Sequence, residues 1–560
     1  MPEKTLQPRR TRARLIIVTG LLLAVAAVAL LRPHILGPGD DRVAGPAENA
    51  VTTAPDDEQR TEDPAPDPFR RADGSAAYRP AVHLTPEQRW MNDPQRPFFL
   101  DGQWHYYYLY NADYPEGNGT EWYHVTSTDL VHWVDQGVAI GKYQNGLGDI
   151  WTGTAVVDQH DTAGFGAGAV VALVTQQVDG VQRQSLFVSR DGGFTFESFE
   201  GNPVMDNPGV DAWRDPRVIW DDARDQWVMA LAEGDRIGFY TSANLRDWTY
   251  ASDFSAPGLG VLECPDLFPM AVDGNQEDVR WVLLTGANGA ADGMTTGTAY
   301  WTGTWDGQSF APDDERHQWL DRGPDYYAAV TWSDPRLTPQ EQLASRYSIG
   351  WLNNWAYAGS LPTEEWHGGS ASVVRELSLR GTEDGPMLTS MPVDSLAGLE
   401  GPAQSAPAVS LDAGGSTTLG TPAADAYRLR VVASAPEPDA ELRLRIEHED
   451  GTFSTVGYDF AAGQAFVARD ADAAAAQMPP TYQEISTADV APVDGQVELD
   501  VVVDVASVEA FVNQGQAALS MLSYGDSRPS TPVAYAERGT VELREISVTP
   551  LRVAEPTRTG

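Results

Sequence analysis

The sequence predicts an all-β protein in which a five-bladed β-propeller is followed by a C-terminal β-sandwich. Three observations predict this fold: short apolar runs separated by turn residues, a phrase that recurs at near-constant spacing, and a change of composition after about Pro392. Seventeen Trp, 20 Tyr and 16 Phe exclude a mainly disordered chain, because disordered segments are poor in aromatic residues. A chain of 560 residues has room for about two to four domains.

The β-rich region extends from Pro80 to about Leu379. Short runs of aromatic and β-branched residues alternate there with turns of Gly, Asp and Asn. No long segment with the 3.6-residue period of a helix intervenes, which favours strands. Clear runs occupy residues 104–110, 169–175, 227–232 and 281–285.

Within this region a Ser or Thr is repeatedly followed by a turn and then by an aromatic residue. The copies begin at Ser127, Ser189, Ser242 and Thr302, so successive starts are 62, 53 and 60 positions apart. Regular repetition of one unit is typical of propellers, whose blades each contain four short strands. The four copies and a first blade around residues 92–110 predict five blades. Four ordinary hairpins with similar turns would also give such a pattern.

After about Pro392 the sequence contains no Trp, and Ala, Asp and Val become frequent. Leu442, Leu444 and Ile446 alternate with charged residues, and residues 497–503 and 508–512 show similar apolar patterns. This period of two with intervening turns predicts a β-sandwich of about 160 residues. Because it lacks Trp, we expect this domain to brace the propeller rather than to bind glycan.

The N-terminus resembles an export signal. Five basic residues precede the uncharged apolar residues 15–31, and Arg32 follows them. This length lies between a signal-peptide core and a membrane span, so both an uncleaved signal anchor and a cleaved signal peptide stay open. The predicted organisation is a signal segment (1–36), a disordered linker (37–79), the propeller (80–388) and the sandwich (389–555). We therefore expect an extracellular or cell-surface protein that meets the membrane only through this segment.

The charge balance restricts the partners. Thirty-eight basic and 80 acidic residues give a net charge of −42, which repels nucleic acid and anionic polysaccharides but not a neutral carbohydrate. A single cysteine, Cys264, permits no intrachain disulfide. The nine His residues do not fall at zinc-ligand spacing, and no aspartate run matches a calcium loop. The sequence therefore predicts neither a catalytic metal nor a cofactor.

Three acidic residues occupy distinctive settings among the 80. Asp93 precedes a proline in the segment 90–94, and Asp215 does the same beside Arg214. A following proline keeps the preceding backbone extended and so fixes the direction of the carboxylate. Glu263 has apolar neighbours in sequence, and an apolar setting raises a carboxyl pKa, as a general acid requires. On successive parts of a propeller, the three carboxylates are predicted to converge at one mouth.

These motifs, in this order, resemble glycoside hydrolase family 32, which includes invertases, inulinases and levanases. The resemblance covers residues 83–378 and reappears in the C-terminal segment 507–513. The matching motifs, which are found at successive points along the chain, are residues 90–94, 151–154, 214–216, 263–265, 325–328 and 350–355, followed by 362–363 and Trp366.

The resemblance implies a retaining glycosidase that cleaves β-fructofuranosyl linkages in fructans, with levan favoured over inulin or sucrose. It implies that Asp93 is the nucleophile, Glu263 the acid/base and Asp215 the stabiliser of the transition state. The two reacting carboxyl groups of such an enzyme lie about 5–5.5 Å apart. The candidate substrate-binding residues, which include tryptophans suited to sugar faces, are Trp90, Asn92, Gln95, Trp151, Thr152, Arg214 and Trp355.

The chain departs from the family after the first acid. Gln95 and Arg96 stand where the family usually has Asn and Gly, and we interpret this as a change on the leaving-group side. It is similar to bacterial enzymes that act on levan, including levan fructotransferases that form a cyclic difructose. Hydrolysis and intramolecular transfer share one fructosyl-enzyme and differ only in the group that resolves it. Two further functions stay open: a glycosidase of arabinan or xylan, and a non-catalytic propeller that binds glycan.

Overall fold

The computed structural model describes residues 78–117, 119–525 and 528–552. The predicted signal segment and all but the last two residues of the predicted linker lie outside the described residues. Within the described part, none of the helices has the length and apolar character needed to span a bilayer. Residues 113–117 group apart from the rest and form turns, in which the Glu116 amide donates to the Asp113 carbonyl (2.9 Å). All other described residues belong to one compact unit.

Five antiparallel sheets follow one another along the chain, and each begins with its innermost strand. Their strands are β1 (Arg89–Leu100), β2 (Gln103–Asn111), β3 (Glu121–Ser127) and β4 (Val134–Ile140) in the first sheet; β5 (Asp149–Asp158), β6 (Ala169–Val178), β7 (Val181–Ser189) and β8 (Glu197–Ser198) in the second; β9 (Trp213–Asp221), β10 (Gln226–Glu233), β11 (Arg236–Ser242) and β12 (Thr249–Ser255) in the third; β13 (Glu263–Ala271), β14 (Val279–Ala287), β15 (Gly297–Trp305), β16 (Phe310–Pro312) and β17 (Gln318–Trp319) in the fourth; and β18 (Tyr327–Trp332), β19 (Arg346–Leu352), β20 (Trp366–His367), β21 (Ser370–Ala371), β22 (Arg375–Thr382) and β23 (Gly385–Pro392) around the fifth.

The five innermost strands form a closed ring. β1, β5, β9, β13 and β18 each contact the next in this order, and β18 contacts β1. β20 leaves the fifth blade and pairs in parallel with β1, so that the last blade also adds a strand to the first. The fold is therefore the predicted five-bladed propeller rather than a row of separate hairpins.

The recurring sequence phrase marks the end of the third strand in blades one to three and the third strand of blade four. Ser127, Ser189 and Ser242 are the last residues of β3, β7 and β11. Each hydroxyl accepts a hydrogen bond from a backbone amide of the following turn, at 2.8 to 3.1 Å. The copy at Ser127 belongs to the blade that contains residues 92–110, so the prediction counted this blade twice. The fifth blade has no copy.

Two further sheets form the C-terminal sandwich. One has the strand order β24-β36-β27-β32-β33-β34 with β25 also on β36, and the other has the order β26-β35-β28-β29-β30-β31. Its strands are β24 (Gln404–Ser405), β25 (Val409–Leu411), β26 (Ser416–Thr418), β27 (Ala426–Ser434), β28 (Glu441–Glu447), β29 (Phe453–Asp459), β30 (Gln464–Ala471), β31 (Ser486–Asp489), β32 (Gln496–Asp504), β33 (Ser507–Val512), β34 (Ala517–Leu522), β35 (Thr531–Arg538) and β36 (Val541–Leu551).

The sandwich core contains the apolar residues that alternate in the sequence. Leu442, Leu444 and Ile446 of β28 are buried there with the alternating residues of β32, because successive strand residues point to opposite faces. The described helices are short: α1 (Pro339–Ala344) and the 3-10 helices Ala290–Asp292, Ala358–Ser360, Asp394–Leu399, Ala475–Gln477 and Pro480–Gln483.

Buried ion pairs join the sandwich to the propeller. Arg375 of β22 donates to Asp321 (2.8 Å) and to Glu509 of β33 (2.5 Å). His83 lies between Asp504 and Glu509, with one ring nitrogen 2.8 Å from each. All of these side chains are fully buried. The sandwich is thus fixed to the propeller by paired charges, whereas its role as a brace stays a prediction.

Candidate active site

All five innermost strands are interrupted by a bulge at the same end. The regular pairing skips two consecutive residues within the first five positions of each strand. A β-bulge leaves residues unpaired and turns their side chains to a new direction. The skipped residues, which lie at one end of the ring that we call the mouth, are 92–93, 151–152, 215–216, 264–265 and 328–329.

Three of these bulges hold a residue other than glycine with a positive φ. The φ angles of Asp215, Cys264 and Ala328 are 64°, 48° and 49°. Such angles are uncommon for residues with a side chain, and they cluster at functional sites. The backbone of the mouth is therefore held in a conformation that ordinary strands do not adopt.

The Asp93 carboxylate is held by two neutral donors. Asn92 Nδ2 donates to Oδ1 (3.1 Å) and the Thr152 hydroxyl donates to Oδ2 (2.7 Å). Burial and the charge of Glu263 raise the pKa of Asp93, whereas these two hydrogen bonds oppose the rise. Asp93 and Glu263 are therefore close enough for their charges to interact.

Asp215 lies against the bulge of the next blade. The Cys264 backbone amide donates to Asp215 Oδ2 (3.0 Å), and Arg214 Nε lies 4.0 Å from the same oxygen. Burial raises the pKa of Asp215 to about 7; the Arg214 charge opposes this rise, and the charges of Glu263 and Asp93 add to it. The three acids thus form one electrostatically coupled group.

The Glu263 carboxylate has polar neighbours rather than the apolar ones that its sequence context predicted. Arg214 Nη2 donates to Oε1 (2.7 Å) and the Tyr327 hydroxyl donates to Oε2 (2.5 Å). The prediction was wrong on this point because Glu263 is the first residue of β13, directly before its bulge, and its carboxyl group is contacted from two other blades.

Two residues of this site were not singled out by the sequence. Tyr327 is the first residue of β18 and reaches Glu263, and Cys264 Sγ lies 3.7 Å from an oxygen of Asp93 and also of Asp215. Burial and the neighbouring carboxylates raise the pKa of the Cys264 thiol well above its usual value. The thiol is therefore a neutral group between two acids. Both residues lie inside motifs that the sequence analysis names, 325–328 and 263–265. Their position in these motifs was the only sequence feature that could have indicated a role in the site.

The predicted tryptophans occupy different positions. Trp355 is 42% exposed and stacks on Trp90, with ring centroids 6.3 Å apart. Trp90 is buried, and its indole N–H donates to Asn92 (3.0 Å). Trp151 is half-buried, with the Arg214 guanidinium 6.0 Å from its ring centre. All three therefore lie beside residues of the acidic mouth.

Gln95 and Arg96 do not face the mouth. Gln95 is fully buried, and its amide bridges the Asp93 carbonyl (3.0 Å) and the Gly153 N–H (2.8 Å). Arg96 donates to the Val218 carbonyl (3.1 Å), and the charges acting on it are those of deeper residues rather than of the three acids. A substrate contact for Gln95 and a leaving-group effect of Arg96 therefore stay predictions. Beyond the bulge, both side chains bond to neighbouring inner strands.

No group of three or more His, Cys, Asp or Glu side chains in the described ranges has an arrangement that could hold a metal ion. The polar groups that line the mouth are its three acids, the Arg214 guanidinium and the hydroxyls of Thr152 and Tyr327. Coupled carboxylates in the central mouth of a propeller are the arrangement expected of a glycoside hydrolase.

Comparison with known proteins specifies the family. Residues 83–392 match the Glycosyl hydrolases family 32 N-terminal domain, and residues 399–550 match the Glycosyl hydrolases family 32 C terminal. The chain belongs to glycoside hydrolase family 32, as its motifs indicated.

Relatives and solved structures agree with this assignment. The chain is 43% identical over 479 residues to the levanbiose-producing levanase of Bacillus subtilis (strain 168), which covers 84% of this chain and 90% of that protein. It is 46% identical over 384 residues to the levanbiose-producing levanase of Geobacillus stearothermophilus, covering 68% of this chain and 95% of that one. The crystal structure of exo-inulinase from Aspergillus awamori is similar with a TM-score of 0.76 and 27% identity, covering 85% and 99% of the two chains.

Proposed function

We propose that the protein is an exported hydrolase of β-fructofuranosyl linkages in fructans, and that levan is its favoured substrate. The observation that carries the proposal is the coupled group of Asp93, Asp215 and Glu263, which lie in or directly beside the bulges of one propeller mouth. The names of the two levanase relatives support levan. The net charge of −42 is compatible with a neutral polymer.

Asp93 is proposed as the nucleophile that attacks the anomeric carbon of the fructosyl unit. Its two oxygens are oriented by Asn92 and Thr152, and a nucleophile of this kind forms a covalent glycosyl-enzyme with retention of configuration. Both hydrogen bonds favour the ionised carboxylate and so oppose the rise in the pKa of Asp93 that burial and Glu263 cause.

Glu263 is proposed as the general acid and base. It would protonate the leaving oxygen and then accept a proton from the incoming water. Arg214 and Tyr327 each donate to one of its oxygens, and these two contacts fix the orientation of the carboxyl group. Arg214 would also contact the substrate, beside Trp151.

Asp215 is proposed to hydrogen-bond sugar hydroxyls and to stabilise the oxocarbenium-like transition state. A negative charge placed where positive charge develops is an effective form of electrostatic catalysis. The stacked rings of Trp90 and Trp355 would form the wall on which the sugar lies. The predicted export segment would deliver this site to polymers outside the cell.

Product analysis on levan, inulin and sucrose tests the function. We expect the full chain to act best on levan and to release mainly levanbiose, because both levanase relatives are named for that product. Fructose as the main product would indicate terminal attack by single units, and cyclic difructose would indicate intramolecular transfer. Release only from arabinan or xylan would contradict the proposal, and binding of levan without turnover would indicate a non-catalytic protein.

The substitution Glu263→Gln tests the assignment of the acid/base. It keeps the shape of the side chain but removes its proton chemistry, so we expect the rate on levan to fall by about 10²–10⁴-fold. Glu341→Gln, at the exposed start of α1, is the matched control and should keep the wild-type rate. Undiminished release of sugar by the Glu263 variant would rule out this role.

A further inference from the structure

A layer of basic side chains lies in the propeller one step below the acids. It contains Arg96 of β1, Arg217 of β9 and Arg346 of β19, with Asp266 of β13 as the carboxylate among them. Arg96, Arg217 and Asp266 follow the three acids Asp93, Asp215 and Glu263 by two or three residues on the same inner strands. We call this group the basic layer.

Both oxygens of the single carboxylate in the basic layer, that of Asp266, already accept several hydrogen bonds. Both Asp266 oxygens accept from Arg217, at 2.7 and 2.8 Å. One oxygen also accepts from the Leu267 amide (2.9 Å), and the other accepts from the amide and hydroxyl of Thr331 (3.1 and 2.6 Å). Asp266 therefore neutralises Arg217 and has no remaining acceptor for another guanidinium.

Arg96 and Arg346 form no ion pair with a carboxylate within the described ranges. Arg96 donates to the Val218 carbonyl, and Arg346 donates to the hydroxyl and carbonyl of Thr331 (2.5 and 3.3 Å). Arg217 donates to the same Thr331 carbonyl, so the guanidinium groups of Arg217 and Arg346 are held side by side. Asp266 balances one of the three guanidinium charges, so the other two have no counter-charge within the basic layer.

One nitrogen of the layer lacks a hydrogen bond altogether. Arg217 is 4% exposed, and its Nη1 atom is buried without a partner among the residues that the structure describes. Burial and the charges of Arg217 and Arg346 lower the pKa of Arg96, and burial together with Arg217 lowers the pKa of Arg346 to about 9. Buried charge of one sign is strongly unfavourable unless a counter-charge is present.

We propose that the basic layer binds a small inorganic anion, chloride in the first instance, between Arg96 and Arg346. Arg96 is half-buried, so a solute can reach it, and the excess charge of the layer matches one or two anionic charges. A fructan is neutral and does not supply such a charge, so the anion is a ligand additional to the substrate.

Thermal unfolding of the full chain at constant ionic strength, with gluconate exchanged for chloride, tests the proposal. A ligand that binds the folded state raises the unfolding temperature in a saturable way; for a chain of this size we expect about 1–3 °C. In Arg96→Gln this rise should be lost, and Arg316→Gln, at an arginine whose side chain is 83% exposed, should keep it. The proposal is overturned if wild type shows no saturable rise, or if Arg96→Gln shows the same rise.

A direct measurement covers the case in which Arg96→Gln does not fold. In crystals of the wild-type protein grown with bromide, the anomalous signal should show a bromide ion in contact with the guanidinium groups of Arg96 and Arg346. Ordered bromide elsewhere with none at the basic layer would overturn the proposal.

Discussion

The carboxyl group of Asp215 is buried beside two other acids, and this has a cost for stability that can be measured. Burial raises its pKa from 3.8 to about 7, so the folded state binds its proton more tightly than the unfolded state does. The free energy of unfolding must then fall as the pH rises from about 4 to 7, and the loss persists above 7.

Asp215→Asn should remove this cost, because the amide is neutral and still accepts from the Cys264 amide. We expect the variant to be more stable than wild type by about 1–2 kcal/mol at pH 8, with a smaller difference at pH 5, and to lose activity on levan. Denaturant unfolding at the two pH values measures this. Asp314→Asn, at an exposed loop, is the control. An equal stability difference at both pH values would contradict the pKa shift.

Single residues show clearly which parts of the site a sequence can predict. The positions of Asp93, Asp215 and Glu263 were predictable because each lies in a short motif with local constraints, such as a following proline. The direction of Arg96 was not, because Arg96 lies in a second irregularity of β1, between Gln95 and Phe98, that is visible only in the pairing of β1 with β2. For the same reason the neighbours of Glu263 were mispredicted: they come from Arg214 and Tyr327, on two other blades.

At the scale of structural elements, the site depends on the segment that carries Trp355. Its exposed ring stacks on Trp90 and lies 4.7 Å from the ring of Trp351. The preceding Asn354 is fixed by a hydrogen bond to the Pro324 carbonyl (2.7 Å). The segment is thus held in place while one aromatic face stays available at the mouth.

Trp355→Ala should weaken substrate binding with little effect on the chemical step. Loss of one aromatic contact of about 0.5–1.5 kcal/mol corresponds to a rise in KM of about 2–10-fold on levan, with kcat nearly unchanged. Steady-state kinetics on levan measures both constants. Tyr250→Ala, at a ring on β12 that is 50% exposed, is the matched control. A fall in kcat without a change in KM would contradict a binding role for Trp355.

At the scale of the whole molecule, the repeat predicted the propeller because its physical cause is local. A serine hydroxyl accepts from the following turn, and this contact recurs in blades one to three, where the third strand turns into the fourth. In the fifth blade a two-residue turn at Glu383 and Asp384 joins the third strand, β22, to the fourth strand, β23, and no aromatic residue follows it. The union of propeller and sandwich was not predictable in detail, since His83, Arg375 and Glu509 meet across more than 100 residues of sequence.

The buried ion pairs of His83 between propeller and sandwich should make the free energy of unfolding depend on pH above neutrality. Asp504 and Glu509 outweigh burial and raise the pKa of His83 to about 9, so the ring is charged in the folded protein at neutral pH. Its contribution is fully present below about pH 6.5 and is lost as the pH rises through 9. For Asp504 and Glu509 the pKa shift has the opposite sign. His83 helps to lower the pKa of both carboxyl groups, that of Glu509 to about 2. Their contribution to the free energy of unfolding is therefore lost only in strong acid.

His83→Gln should therefore destabilise the protein most at pH 6–7 and progressively less as the pH approaches 9. Removal of one member of a buried ionic group costs about 3–5 kcal/mol, and here that cost shrinks because the wild-type ring itself loses its charge. Unfolding temperatures of variant and wild type should converge between pH 7 and 9. His317→Gln, at a half-buried ring paired with Asp292, should show no such convergence. If the difference between His83→Gln and wild type stayed constant up to pH 9, His83 would hold the two domains together by shape and hydrogen bonding rather than by charge.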